Sequence, residues 1–178
     1  MIITQADRDF YYKNKEKYTH IISIVCPDDD ITPLHNNHLV IKMWDIDKPM
    51  ENKFRKYEPP NKDVCLKPIE WIVSKWYETL KKNEYFSLLI HCDAGISRSS
   101  AIALGVLWSM SKAVFNDNPD TDVFRIYLDA RKTWCASVVD WDNSNALKRY
   151  IDGRFNPGVR PNQAILDIYK KYLNMFPW

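Results

Sequence analysis

The sequence predicts one α/β domain. Short β-branched, apolar runs alternate with stretches that carry apolar residues at helical spacing. The length, 178 residues, is that of a single domain, and a chain of this size buries enough surface for a core without staples. No internal repeat, low-complexity tract or linker divides residues 1–178. Hydrophobic residues make up 46% and charged residues 27%, which excludes a wholly disordered, collagen-like or coiled-coil chain.

Residues 21–26, Ile-Ile-Ser-Ile-Val-Cys, read as a buried strand that stops at Pro27 and the aspartates 28–30. Residues 38–44 read as a second strand, ending at Asp45-Ile46-Asp47. The polar, proline-bearing stretch 48–62 is expected to be a loop. Residues 63–82 place Ile69, Ile72, Val73, Trp76, Tyr77 and Leu80 at helical spacing, with Pro68 near the first turns. Residues 85–90 read as a third buried strand, and the small and apolar residues 101–110 as a buried helix. A further helix is expected over 120–132, capped by Asp120 or Thr121. Residues 133–156 give no clear pattern. Pro161-Asn162 opens a last helix, with Ile165, Leu166, Ile168, Tyr169 and Leu173 on its apolar side.

Charge and cysteines narrow the function classes. Twenty-five basic and 23 acidic residues leave +2, so neither nucleic acid nor a membrane is an expected partner. Residues 1–9 carry acidic groups where a secretion signal needs a cationic and then an apolar stretch. The apolar run 101–108 is far shorter than the ~20 residues that span a bilayer. Cys26, Cys65, Cys92 and Cys135 have no metal-type spacing and are too sparse for a disulfide scaffold. His20, His35 and His38 show no ligand spacing either, so no metal and no cofactor are expected. A reducing, cytoplasmic setting follows. The aspartates 28–30 read as a solvated turn, Lys13, Lys15 and Lys17 as surface charges, and Trp134 and Trp141 as packing residues.

The chemistry lies where the strand 85–90 runs into His91-Cys92-Asp93-Ala94-Gly95-Ile96-Ser97-Arg98-Ser99. A loop between a strand and a helix N-terminus turns backbone N–H groups toward a phosphate-sized anion, aided by the helix dipole. Gly95 permits a backbone conformation that a Cβ opposes. Arg98 adds a planar grip on two phosphate oxygens. The same positive field favours the thiolate of Cys92, the nucleophilic form. Ser99 is placed to hydrogen-bond that sulfur, and His91 orders the loop rather than acting as a base.

His91-Cys92-x5-Arg98-Ser99 resembles the loop of the protein tyrosine phosphatase superfamily, with glycine at the expected third position after the cysteine. Tyr18 to Ile24 and Arg160-Pro161-Asn162 resemble the family's early strand and its C-terminal Pro-Asn turn. The likeness extends over most of the chain. It is nearest to compact, dual-specificity-like bacterial and phage members, which implies the cytoplasm of a bacterium or an infected host cell. It implies a central, mostly parallel twisted sheet flanked by helices, in a single phosphatase domain and as a monomer. The departure is residues 132–158, longer and richer in Trp and Asp than the usual connection.

The resemblance implies a cysteine-dependent phosphatase acting on a phosphotyrosine protein or peptide, with phosphoserine or phosphothreonine as further substrates. Cys92 is then the nucleophile, and residues Asp93, Ala94, Gly95, Ile96, Ser97 and Arg98 hold the phosphate. An aspartate after a strand supplies the general acid; Asp45 fits that place best and Asp47 is its rival. In some members a cysteine at the place of Cys26 forms a reversible disulfide with the nucleophile, against the plainer reading of a buried cysteine. Other readings are a non-protein phosphate substrate (an RNA 5′-triphosphate or a phosphoinositide) and an inactive phosphate-binding module. No basic residue lies between Cys92 and Arg98, which disfavours multiply phosphorylated lipids.

Overall fold

The computed structural model describes residues 2–52, 55–117, 125–128, 137–140 and 160–174. The chain opens with β1 (Ile2–Ala6), which the sequence reading missed, and α1 (Arg8–Asn14), capped by the Asp7 side chain on the Phe10 N–H. A single 3-10 turn, Lys15–Lys17, leads to β2 (His20–Val25). Next come β3 (His38–Lys42) and two short strands, β4 (Met50–Glu51) and β5 (Lys56–Tyr57), which pair antiparallel. This hairpin lies within the stretch expected to be a loop. Its strands carry no apolar alternation, and it is secured by Arg55, whose guanidinium donates to both carboxylate oxygens of Asp28 at 2.5 and 2.8 Å.

Helix α2 (Lys62–Lys82) begins at Asn61, whose side chain accepts from the Val64 N–H at 3.0 Å, and ends at Asn83 in the left-handed conformation. The helix runs through Pro68, as expected. Strand β6 (Ser87–His91) follows, then α3 (Arg98–Asp117). Strands β7 (Arg125–Leu128) and β8 (Ser137–Asp140) pair antiparallel, and α4 (Gln163–Leu173) closes the described chain. β7 corrects the expected helix over 120–132. Ile126 and Leu128 alternate with Arg125 and Tyr127, a strand period, and a cross-strand partner is present. The rest of 120–132, most of the stretch 132–158, and Trp134, Cys135 and Trp141 lie outside the described residues.

The central sheet has the order β1-β6-β2-β3, and every pair in it is parallel. Parallel strands need both faces covered. Ile22 and Ile24 of β2, Leu88 and Ile90 of β6, and Ile41 of β3 face a core built with α2, α3 and α4. Ile21 and Leu89 face the other way, against Tyr11 of α1. The alternation of the strands therefore assigns residues to two layers, and Ser23, His38 and His91 fall on the α1 side (Ser23 is the register partner of His91). All four strands point their carboxyl ends at one edge of the sheet. In open α/β sheets that edge is where ligands bind. Among the described residues no helix is long and apolar enough to cross a membrane.

Candidate active site

Each strand delivers a side chain to that edge. β6 leads to Cys92, β2 to Cys26, β3 to Asp45, and β1 to Arg8. The loop after β6 is shaped by what takes its carbonyls. The Asp93 carbonyl accepts from the Arg8 N–H at 3.1 Å and the Gly95 carbonyl from Gln5 Nε2 at 2.5 Å. The Ile96 carbonyl accepts from the Arg160 N–H at 3.3 Å and the Ser97 carbonyl from the Asn162 N–H at 3.2 Å. A trans peptide points its C=O and N–H in opposite directions. With these four carbonyls turned outward, the N–H groups of Ala94, Ile96, Ser97 and Arg98 turn toward the space inside the loop. The result is a nest of N–H groups at the N-terminus of α3, a geometry that suits an anion.

Gly95 is required by its surroundings. Its φ is +66°, and a Cβ there would lie 2.7 Å from the Asp7 backbone nitrogen and 2.8 Å from the Ala6 carbonyl carbon. The glycine thus lets the loop press against the end of β1.

Cys92 and Arg98 are 2% and 3% exposed, so both are buried away from bulk water. Cys92 Sγ lies 3.2 Å from Ser99 Oγ, which also receives a hydrogen bond from Gln5 Nε2 at 2.8 Å. Arg98 donates from Nη1 to the Met43 carbonyl at 3.1 Å and from Nη2 to Asp93 Oδ2 at 2.6 Å. Burial works against its charge. The neighbouring Cys92, Asp93, Cys26 and Asp45 outweigh that and hold the guanidinium firmly protonated.

The two candidate acids are separated by their partners. Asp45 Oδ1 accepts from Ser97 Oγ at 2.6 Å and from Asn162 Nδ2 at 3.1 Å, while its Oδ2 stands 3.6 Å from Arg98 Nε. Asp47 instead accepts from the N–H groups of Gln163 and Ala164 at 2.8 and 3.2 Å. Asp45 therefore lies against the loop, and Asp47 caps the start of α4.

His91 sits behind the loop, fully buried. It stacks on Tyr11 at 4.1 Å between centroids. The Ser23 hydroxyl lies 2.6 Å from His91 Nε2 and 2.7 Å from His38 Nε2. His38 Nδ1 accepts from the Leu34 N–H at 3.0 Å, so a neutral His38 carries its proton on Nε2 and donates to Ser23. Ser23 then donates to His91. Burial pushes His91 down to about 3 and His38 to about 4, so both are neutral imidazoles. A neutral, fully buried His91 is unsuited as a base.

Cys26 Sγ is 3.6 Å from Arg98 Nη1 and 3.8 Å from Asp93 Oδ2, and burial pushes its thiol up. Cys26 and Cys92 are both free cysteines here. The aspartates 28–30 lie on a solvated turn, as expected, and each pairs with a basic side chain: Asp28 with Arg55, Asp29 with Arg8 and Asp30 with Lys42. Reasoning from the sequence missed Gln5, Arg8 and Ser23 as neighbours of the loop, and read Asn162 as the start of a helix and part of a Pro-Asn turn, without its contact to Asp45. Their roles depend on partners 15 or more residues away, such as Gln5 with Ser99, 94 residues on.

No protein-family model matches the sequence, and none of the curated proteins does. Solved structures do match. A crystal structure of PTPMT1 aligns with a TM-score of 0.50 at 13% identity, over 97% of this chain and 90% of that one. The Yvh1 phosphatase domain from Chaetomium thermophilum aligns with a TM-score of 0.48 at 17% identity, over 91% and 82%. Human DUSP28 aligns with a TM-score of 0.45 at 11% identity, over 99% and 93%. At such identities a likeness speaks to architecture alone. With its parallel sheet and flanking helices, the chain has the fold of the protein tyrosine phosphatase superfamily.

Proposed function

We infer that the protein is a cysteine-dependent phosphomonoesterase acting on phosphotyrosine in a protein or peptide, with phosphoserine and phosphothreonine as secondary substrates. One observation carries this reading. A buried Cys92 and Arg98 flank a loop whose N–H groups face inward, and Asp45 stands beside Arg98 on the open side.

The chemistry follows from that arrangement. The phosphate enters the loop, where the inward N–H groups and Arg98 balance its equatorial oxygens. Cys92 Sγ, as thiolate, attacks phosphorus in line with the leaving oxygen. The S–P bond forms as the P–O bond breaks, and Asp45 gives its proton to the departing phenol or alcohol. Water then attacks the phosphocysteine, its proton passes to Asp45, and the S–P bond breaks to return the thiolate. Ser99 Oγ, 3.2 Å from the sulfur, donates to the thiolate as it leaves.

The test is hydrolysis of a phosphotyrosine and a phosphothreonine peptide by the reduced protein and its Cys92→Ser variant. Turnover that vanishes in Cys92→Ser, with the phosphotyrosine peptide favoured, is expected. A folded, reduced protein that hydrolyses neither peptide would overturn the protein-phosphatase reading. Turnover retained in Cys92→Ser would overturn the thiolate mechanism.

A further inference from the structure

Arg8 takes no part in the steps above, yet three ties bind it to the site. Its backbone N–H donates to the Asp93 carbonyl. Its guanidinium is ion-paired with Asp93 Oδ1 and donates from Nη2 to Asp29 Oδ2 at 2.6 Å. The other Asp93 oxygen, Oδ2, is held by Arg98. One carboxylate is thus divided between two arginines, one oxygen to each.

The division has a chemical consequence. Arginine prefers a carboxylate in a fork of two parallel N–H···O bonds, and it grips phosphate the same way. Asp93 is therefore a built-in rival of phosphate for Arg98. In the structure the rival is confined to Nη2, while Nη1 is taken by Met43 and Cys26. The Nε–H of Arg98 is buried, with no hydrogen-bond partner among the described residues, and the side chain is only 4% exposed. Its nearest acid is Asp45 Oδ2 at 3.6 Å, too long for a hydrogen bond, so the Nε–H remains available to a phosphate oxygen.

We propose that Arg8 is a positioning residue for oxyanion binding. By holding Asp93 Oδ1 it prevents Asp93 from closing a fork on Arg98, and it offsets a carboxylate charge that would otherwise repel a phosphate dianion. Asp29 fixes Arg8 in turn, so charges alternate along Asp29, Arg8, Asp93 and Arg98. The inference rests on the phosphate-site reading above and adds a residue that the loop motif does not contain.

The test is calorimetric titration of inorganic phosphate into the reduced protein. The variants are Arg8→Ala, Arg8→Lys, Asp93→Asn and the double variant Arg8→Ala/Asp93→Asn, each with a thermal melt. Arg8→Ala should raise the phosphate Kd about threefold to tenfold, the scale of coupling within one hydrogen-bonded network. Arg8→Lys, which retains the charge but not the fork, should fall between wild type and Arg8→Ala. In the Asp93→Asn background, Arg8→Ala should change Kd less than about twofold, because the rival is already neutral. An Arg8→Ala effect of equal size in both backgrounds, or none in either, overturns the proposal while leaving phosphate binding intact. Should Arg8→Ala fail to fold, the same comparison is made with Arg8→Lys in the two backgrounds. A folded wild type that takes up no phosphate overturns both this proposal and the reading on which it rests.

Discussion

Lowering the pH from 8 to 5 should unfold this protein through its buried histidines. Burial pushes His20 down to about 4, His38 to about 4 and His91 to about 3. In the unfolded chain each titrates near 6.5. A folded value below the unfolded one means that the stability is complete above about 6.5 and is lost as pH falls toward the folded value. At pH 5 the unfolded chain has taken up nearly one proton at each site and the native protein almost none. Each histidine then costs about 2 kcal/mol relative to pH 8, and the three together about 6 kcal/mol. That loss is comparable with the whole stability of an ordinary domain, about 5–15 kcal/mol. Asp28 and Asp29 act in a separate, more acid window. The side-chain bonds from Arg55 and Arg8 hold them below their ordinary value of 3.8, so their contribution is lost only as pH falls below about 4. The assay is urea unfolding followed by tryptophan fluorescence at pH 8, 7, 6 and 5. With an m-value of about 2 kcal/mol per molar, the midpoint should fall by about 3 M. A fall of less than about 0.5 M would show that the native histidines take up protons freely, and would refute the burial argument.

Three further outcomes are expected. Ser23→Ala removes the hydroxyl between His38 and His91 and leaves two buried ring nitrogens unpaired; it should cost about 1–3 kcal/mol in urea unfolding, and no change would refute the relay. Gly95→Ala forces a Cβ to within 2.7 Å of the Asp7 nitrogen at a positive φ; stability should drop by about 2 kcal/mol or more and phosphate uptake should be lost, whereas an unchanged titration would show that the loop can shift. Asp45→Asn should lower kcat by about 10²–10⁴ with little effect on the melt, while Asp47→Asn should cost about 1 kcal/mol of stability and leave kcat within about twofold. Kinetics that reversed the two aspartates would reverse their assignment.

The legible parts of the molecule were those whose signal is local. The run 85–90 and the loop after it declare themselves within about fifteen residues, because the loop, its glycine and its arginine are contiguous. Helix α2 was legible for the same reason, through its apolar period. β1 was not. It holds only two isoleucines in a short polar context, and it becomes a strand by pairing with β6, Ile3 beside Leu88. Asp45 and Asp47 could be ranked but not separated from two positions along one strand exit. What separates them is Gln163 and Ala164 at the start of α4, which claim Asp47. Arg8 and Gln5 carried no local signal, since their partners Asp93 and Ser99 lie on the far side of the sequence.

The outward-turned carbonyls of the loop have a consequence for where its shape is stored. Their donors are Gln5, Arg8, Arg160 and Asn162, drawn from the two ends of the described chain. The loop is cast in a mould made by other segments, and the mould is set when the chain folds. Binding an oxyanion then requires no rearrangement of dipoles, which is the condition under which such dipoles stabilise a transition state most. Residues 91–99 excised as a peptide would retain the side chains of Cys92, Arg98 and Ser99 and lose the backbone geometry that the other segments impose. Damage at Gln5 or Asn162, neither of them in the motif, would make the intact protein behave like that peptide.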